Sequence, residues 1–183
     1  FFESLSFACE TRKHCKIEQM YIHLTAHSAF SLQEGLLSPA DLVQAAKAHH
    51  MPAIGLTDHY LLTGVIEFVT SCKEAGIQPI LGLEINLERG PLHVLVMNLE
   101  GWSNLCRLSS TLSLQDETIC SLEILTLYSQ GLLTLCNHSL EELKPIFQDR
   151  LYVSLQNQAS ALELSKLARS LSLPTVATHP IYY

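Results

Sequence analysis

Apolar positions along this chain follow two rhythms. Short continuous apolar runs alternate with longer stretches in which apolar residues recur every three to four positions. The first pattern reads as buried strands and the second as amphipathic helices. Residues 21–24 read as the first strand. Ser38, with Pro39 at the first helical position and Asp41 reaching back, opens a helix running to about residue 50. Residues 53–56 are the second strand, and 64–75 form a helix stopped by Gly76. Residues 78–87 and 92–97 read as the third and fourth strands, joined by a tight turn at Gly90-Pro91. A helix is expected over 102–112, a strand over 132–136, and a helix capped by Ser139 with Glu142. A strand over 151–155, a helix over 159–171 and a strand over 174–178 complete the series. Repeated strand–helix units predict an α/β domain built on a largely parallel sheet or barrel.

Composition adds boundaries to this picture. At 183 residues the chain is long enough for one domain with its own core. With 48% apolar and 16% charged residues it reads as globular, not disordered. No apolar run approaches the roughly 20 residues a membrane helix needs. A net charge of −7 argues against a stand-alone nucleic-acid binder, although not against a domain of a larger DNA-binding machine. Cys9, Cys15, Cys72, Cys106, Cys120 and Cys136 form no CxxC pair, which fits a reduced, cytoplasmic setting. Residues 1–19 lack a clean period and read as an extension, with the domain spanning 20–183. The sequence opens on Phe-Phe and stops at Tyr183, so a fragment of a longer polypeptide is expected.

Candidate chemistry gathers at the ends of the expected strands. Asp58 and His59 close the run Ala53-Ile54-Gly55-Leu56-Thr57. In parallel α/β folds the C-terminal strand ends converge side chains on one point. Asp and His together suit a divalent metal or acid–base chemistry. His23 and His27 flank the end of the first strand, and Glu34 follows in the next loop. Glu84 and His93 lie within the third and fourth strands, and His138 and His179 follow later ones. Taken singly, each has a bland reading. A lone histidine is more often a surface or hydrogen-bonded core residue, and His14, His49 and His50 are assigned to that class. Asp58 taken alone could be a loop or capping residue. Glu84 is harder to dismiss, because a carboxylate in a buried strand is costly without a partner.

Several segments, in order, resemble the PHP (polymerase and histidinol phosphatase) domain. They are His23-Leu24-Thr25-Ala26-His27-Ser28-Ala29-Phe30-Ser31-Leu32-Gln33-Glu34-Gly35, Ser38-Pro39, Leu56-Thr57-Asp58-His59, Glu74-Ala75-Gly76-Ile77 and Gly82-Leu83-Glu84. His93-Val94-Leu95-Val96, Gly101-Trp102-Ser103-Asn104-Leu105 and Pro174-Thr175-Val176-Ala177-Thr178 fit as well. The Ser-Ala-Phe-Ser-Leu-Gln-Glu-Gly and Gly-Trp-Ser-Asn-Leu runs are similar to one branch, the N-terminal PHP domains of bacterial DNA polymerase III α subunits, error-prone paralogues included.

The resemblance implies a distorted parallel (β/α)7-type barrel with metal ligands on its rim. Active members hold a cluster of divalent ions and hydrolyse phosphate esters. It places candidate ligands at His27, Glu34, His59, Glu84, His93 and His138. The chain departs from the pattern at Thr25, where the family carries its first histidine, and at Pro180 and Tyr182, which replace the closing Asp-x-His. Ser154 stands where a carboxylate is often seen. The implied site is degenerate: one divalent ion, zinc or manganese, in place of a full cluster, and no catalytic residue assigned. The implied role is a structural or docking module of a polymerase. Its partners would be the remaining polymerase chain, a proofreading exonuclease subunit, and DNA through other domains. A stand-alone metal-dependent phosphoesterase and an inert α/β domain are the competing readings.

Overall fold

The computed structural model describes residues 21–31, 35–114, 119–179 and 181. The extension over 1–19, Glu34, Pro180 and Tyr182 lie outside the described residues. Six strands form one sheet in chain order: β1 (Ala53–Leu56), β2 (Gln78–Leu87), β3 (Gly90–Val96), β4 (Leu132–Cys136), β5 (Leu151–Leu155) and β6 (Thr175–Ala177). The expected α/β class holds. The sheet is parallel at β1–β2, β4–β5 and β5–β6, and antiparallel on both sides of β3. The reason is local. Gly90 adopts φ 140°, which lets the chain reverse between β2 and β3, and a reversal this tight forces antiparallel pairing.

Residues 21–24 do not form the expected regular strand. The Gly55 and Thr57 N–H groups donate to the His23 and Ala26 carbonyls at 2.7 and 2.9 Å. The donors are two positions apart and the acceptors three, so this segment carries one extra residue, as a bulge does. On its other side, Ile181 N–H donates to Thr25 O and His27 N–H to Ile181 O, at 3.2 and 2.9 Å. Residues 23–27 therefore lie between β1 and the chain beyond β6, and an irregular seventh stave bends the sheet toward closure.

Helices cover the outer face. They are α1 (Pro39–Ala48), α2 (Val65–Ala75), α3 (Leu99–Ser113), α4 (Leu122–Tyr128), α5 (Leu140–Phe147) and α6 (Gln158–Ser170). Ser38 Oγ accepts from Asp41 N–H at 3.1 Å, and Gly76 ends α2 in the left-handed region at φ 73°. The helix α4 has no counterpart among the expected elements; at seven residues it is too short to show a period. The expected Ser139 cap of α5 is not made. Ser139 sits at φ 50° with its hydroxyl 3.2 Å from His138 Nδ1, turned from the helix N–H groups.

Two apolar clusters form the core. Leu83, Ile85, Leu92 and Val94 pack outward with Leu105, Leu125, Leu143 and Phe147. Leu42, Val43, Ile54, Leu56, Phe68 and Cys72 form the second, between β1, α1 and α2. Trp102 and Leu62 pack against both. Because side chains alternate along a strand, burying Leu83 and Ile85 outward turns Glu84 inward.

Candidate metal centre

Three neighbouring backbones bring the inner-face groups together. The β1 strand runs on past Leu56, and His59 makes a parallel bridge to Glu84 of β2. Glu84 N–H donates to Asp58 O and Tyr60 N–H to Glu84 O, both at 3.1 Å. Across the hairpin, Glu84 stands directly opposite His93. Thr134 Oγ1 donates to His93 O at 3.0 Å and pins that strand from β4. His27 arrives from the irregular stave.

The side chains meet around one carboxylate. Glu84 Oε1 lies 2.6 Å from His59 Nε2. Glu84 Oε2 lies 2.6 Å from His93 Nε2 and 3.1 Å from His27 Nε2. The His27 ring stands nearly perpendicular to that of His59, with centroids 5.1 Å apart. His27, Glu84 and His93 are buried, while the His59 side chain is 21% exposed and marks the open side of the group. Burial pushes the Glu84 carboxyl up, but the His27, His59 and His93 imidazoles more than offset it, holding it well below the usual carboxylate range.

The arrangement fits a divalent cation. The potential ligand atoms of His27, Glu84 and His93 all lie within 4.8 Å of one another. Glu84 Oε2 and His93 Nε2 are in contact, yet neither makes an aligned hydrogen bond among the described residues. Buried ligand atoms left without an aligned hydrogen bond are groups that a metal ion would satisfy. Imidazole and carboxylate together suit zinc and other first-row divalent ions.

The other sequence candidates go elsewhere. Asp58 is buried, and its carboxylate accepts from Ser28 N–H at 2.6 Å, Ser28 Oγ at 2.7 Å and Ser31 Oγ at 2.7 Å. It belongs to the loop reading, not the ligand reading. His138 turns to the hairpin, with Nε2 2.9 Å from Pro91 O, and does not join the Glu84 group. His23 packs edge-on against Tyr21 and lies near the exposed His179. Burial, then the His179 charge, lowers its pKa. Ser154 and Thr178 hydroxyls pair at 2.5 Å, and Thr25 Oγ1 is buried without a hydrogen-bond partner among the described residues. Sequence reasoning missed Ser28, Ser31 and Thr134. The Ser-x-x-Ser spacing was visible, but hydroxyls carry no signal of which distant carboxylate they serve.

Comparisons with known proteins bear on the family and the fold. The family model described as "PHP domain" matches residues 23–170. The chain is 31% identical over 206 residues to DNA polymerase III subunit alpha of Caulobacter vibrioides, covering 90% of this chain and 18% of that protein. It is 42% identical over 98 residues to the error-prone DNA polymerase of Symbiobacterium thermophilum, covering 53% of this chain and 9% of that protein. The chain thus spans less than a fifth of these relatives' length. Among solved structures, an amidohydrolase from Chromobacterium violaceum superposes with a TM-score of 0.63 at 14% identity, covering 88% of this chain and 87% of that one. A two-domain protein from Bacteroides vulgatus, described as containing a predicted PHP-like metal-dependent phosphoesterase, gives 0.62 at 17%, covering 88% of this chain and 51% of that one. These two likenesses show the fold. With the family model matching most of the chain and an inward-facing His/Glu group on a curled β/α sheet, this chain belongs to the PHP domain family.

Proposed function

We propose that this chain is the PHP module of a DNA polymerase III α subunit, replicative or error-prone, whose parent chain carries out DNA-directed DNA synthesis in the cytoplasm. The polymerase relatives and the buried, undisulfided Cys72, Cys120 and Cys136 support that setting. No described helix is long and apolar enough to cross a membrane. The carrying observation is the partial character of the rim. Three imidazoles converge on Glu84, while in the sequence Thr25 stands where the resemblance expects the family's first ligand, and Pro180 and Tyr182 where it expects the last two.

One divalent ion, zinc or manganese, would be held by His27, His59, Glu84 and His93, where it would neutralise phosphate charge and acidify a water molecule. Glu34 joins the proposed set from its place in the sequence; His138, engaged with Pro91, does not. Thr25 offers a neutral hydroxyl, and proline offers no ligand at all. The chain's own residues therefore supply too few donors for a metal cluster, and weak or absent phosphoesterase activity follows. The module then serves to brace the polymerase chain and to dock a proofreading exonuclease.

The second reading, a stand-alone phosphoesterase, is favoured by the retained His27–His59–Glu84–His93 group. Elemental analysis of protein purified without chelator, with a p-nitrophenyl phosphate assay alongside, tests both. Near-stoichiometric zinc or manganese, lost in a His59→Ala/Glu84→Ala double variant, with little ester hydrolysis, is the expected result. Robust hydrolysis abolished by His59→Ala would establish the second reading. Absence of bound metal would sink the cation site and leave the structural role.

A further inference from the structure

Asp58 presents a buried carboxylate with no cation among its described hydrogen-bond partners. Its acceptor positions are filled by three donors from one loop: Ser28 N–H, Ser28 Oγ and Ser31 Oγ, all within 2.7 Å. Ser31 Oγ in turn accepts from His59 N–H at 3.2 Å. The bonds grip the chain on both sides of the site. Ser28 directly follows His27, and Asp58 directly precedes His59. One carboxylate thus ties together the backbones that carry two of the four convergent side chains, from segments thirty residues apart in sequence.

We propose that Asp58 is a positioning residue for cation binding: with Ser28 and Ser31 it locks His27 and His59 in the mutual orientation that a divalent ion requires. The inference rests on the cation-site reading above and adds what holds that site in shape. A ligand ring left to rotate forfeits affinity in proportion to the conformations it must give up on binding. Outer partners that orient ligands are worth roughly ten- to a hundredfold in metal affinity.

Two variants separate this role from plain stability. Asp58→Asn keeps the size and removes the charge and half of the acceptor capacity. Ser31→Ala deletes one hydroxyl and leaves the carboxylate, so it tests the clamp even if Asp58→Asn fails to fold. Zinc and manganese titrations of metal-free protein, well below the unfolding temperature, are expected to show roughly ten- to a hundredfold weaker binding in both. Imidazole NMR of the metal-free proteins gives a second readout. The His27–His59 ring contact, with centroids 5.1 Å apart, is expected in the wild type and is expected to weaken in both variants. Wild-type affinity and an intact ring contact in variants that are merely less heat-stable would overturn the proposal. If the wild type takes up no metal, the cation reading fails, and the ring contact alone decides whether Asp58 positions the imidazoles.

Discussion

Four residues with similar sequence credentials have three different fates. Glu84, His93, Asp58 and His138 are all polar groups in or after apolar runs. Glu84 and His93 face each other across the hairpin, Asp58 is consumed by serines, and His138 binds a turn carbonyl. The difference shows in substitution. His93→Ala is expected to abolish divalent uptake, because His93 Nε2 lies 2.6 Å from the central carboxylate. His138→Ala is expected to leave uptake unchanged and to cost on the order of 1 kcal/mol, the usual net worth of one hydrogen bond. Metal titration and urea unfolding of both variants check this; loss of uptake in His138→Ala would restore it to the ligand set. Glu84 was legible beforehand, since a carboxylate flanked by Leu83 and Ile85 must find partners. The role of Asp58 was not, because its serines lie about thirty positions away and no local rule couples them.

At the scale of elements, close backbone approach makes the architecture. The irregular stave touches β1 where Gly55 leaves room: a Cβ added there would collide with the Leu24 carbonyl. Gly55→Ala is expected to push residues 23–27 off β1 and to destabilise the fold by about 1–3 kcal/mol, the range for overpacking a filled site. Since His27 rides on that stave, divalent uptake should weaken in parallel. Unchanged stability with unchanged uptake would show that the stave is not held by this contact. Gly101 plays a comparable part, packing the start of α3 against Gly131 beneath the Asn98 cap. Most helices and strands were readable from apolar period and caps. The exceptions have physical causes: a bulge hid the first stave, brevity hid α4, and a positive φ at Ser139 cancelled an expected cap.

For the whole molecule, both core clusters contain buried thiols. Burial pushes Cys72, in the second cluster, and Cys120 and Cys136, in the first, up to about 11 from an ordinary 9.0. A folded-state value above the unfolded one means that the neutral form is favoured by folding. The contribution is therefore complete below about pH 9 and is lost as pH rises toward 11. The unfolding temperature is expected to fall across that window, and a variant with all three cysteines replaced by alanine, though less stable throughout, should fall less steeply. Parallel alkaline limbs in the two proteins would assign the decline to other groups. By itself the sequence determined the α/β class, the alternation that turns Glu84 inward, and the family. These follow from local period and from ordered motifs, which act over a few residues. Only the tertiary structure decided that residues 23–27 lie between β1 and Ile181, that β3 runs against its neighbours, and which polar groups meet at Glu84. Those outcomes depend on pairings between distant segments, and their register is set by packing and backbone hydrogen bonds that no short window of sequence contains.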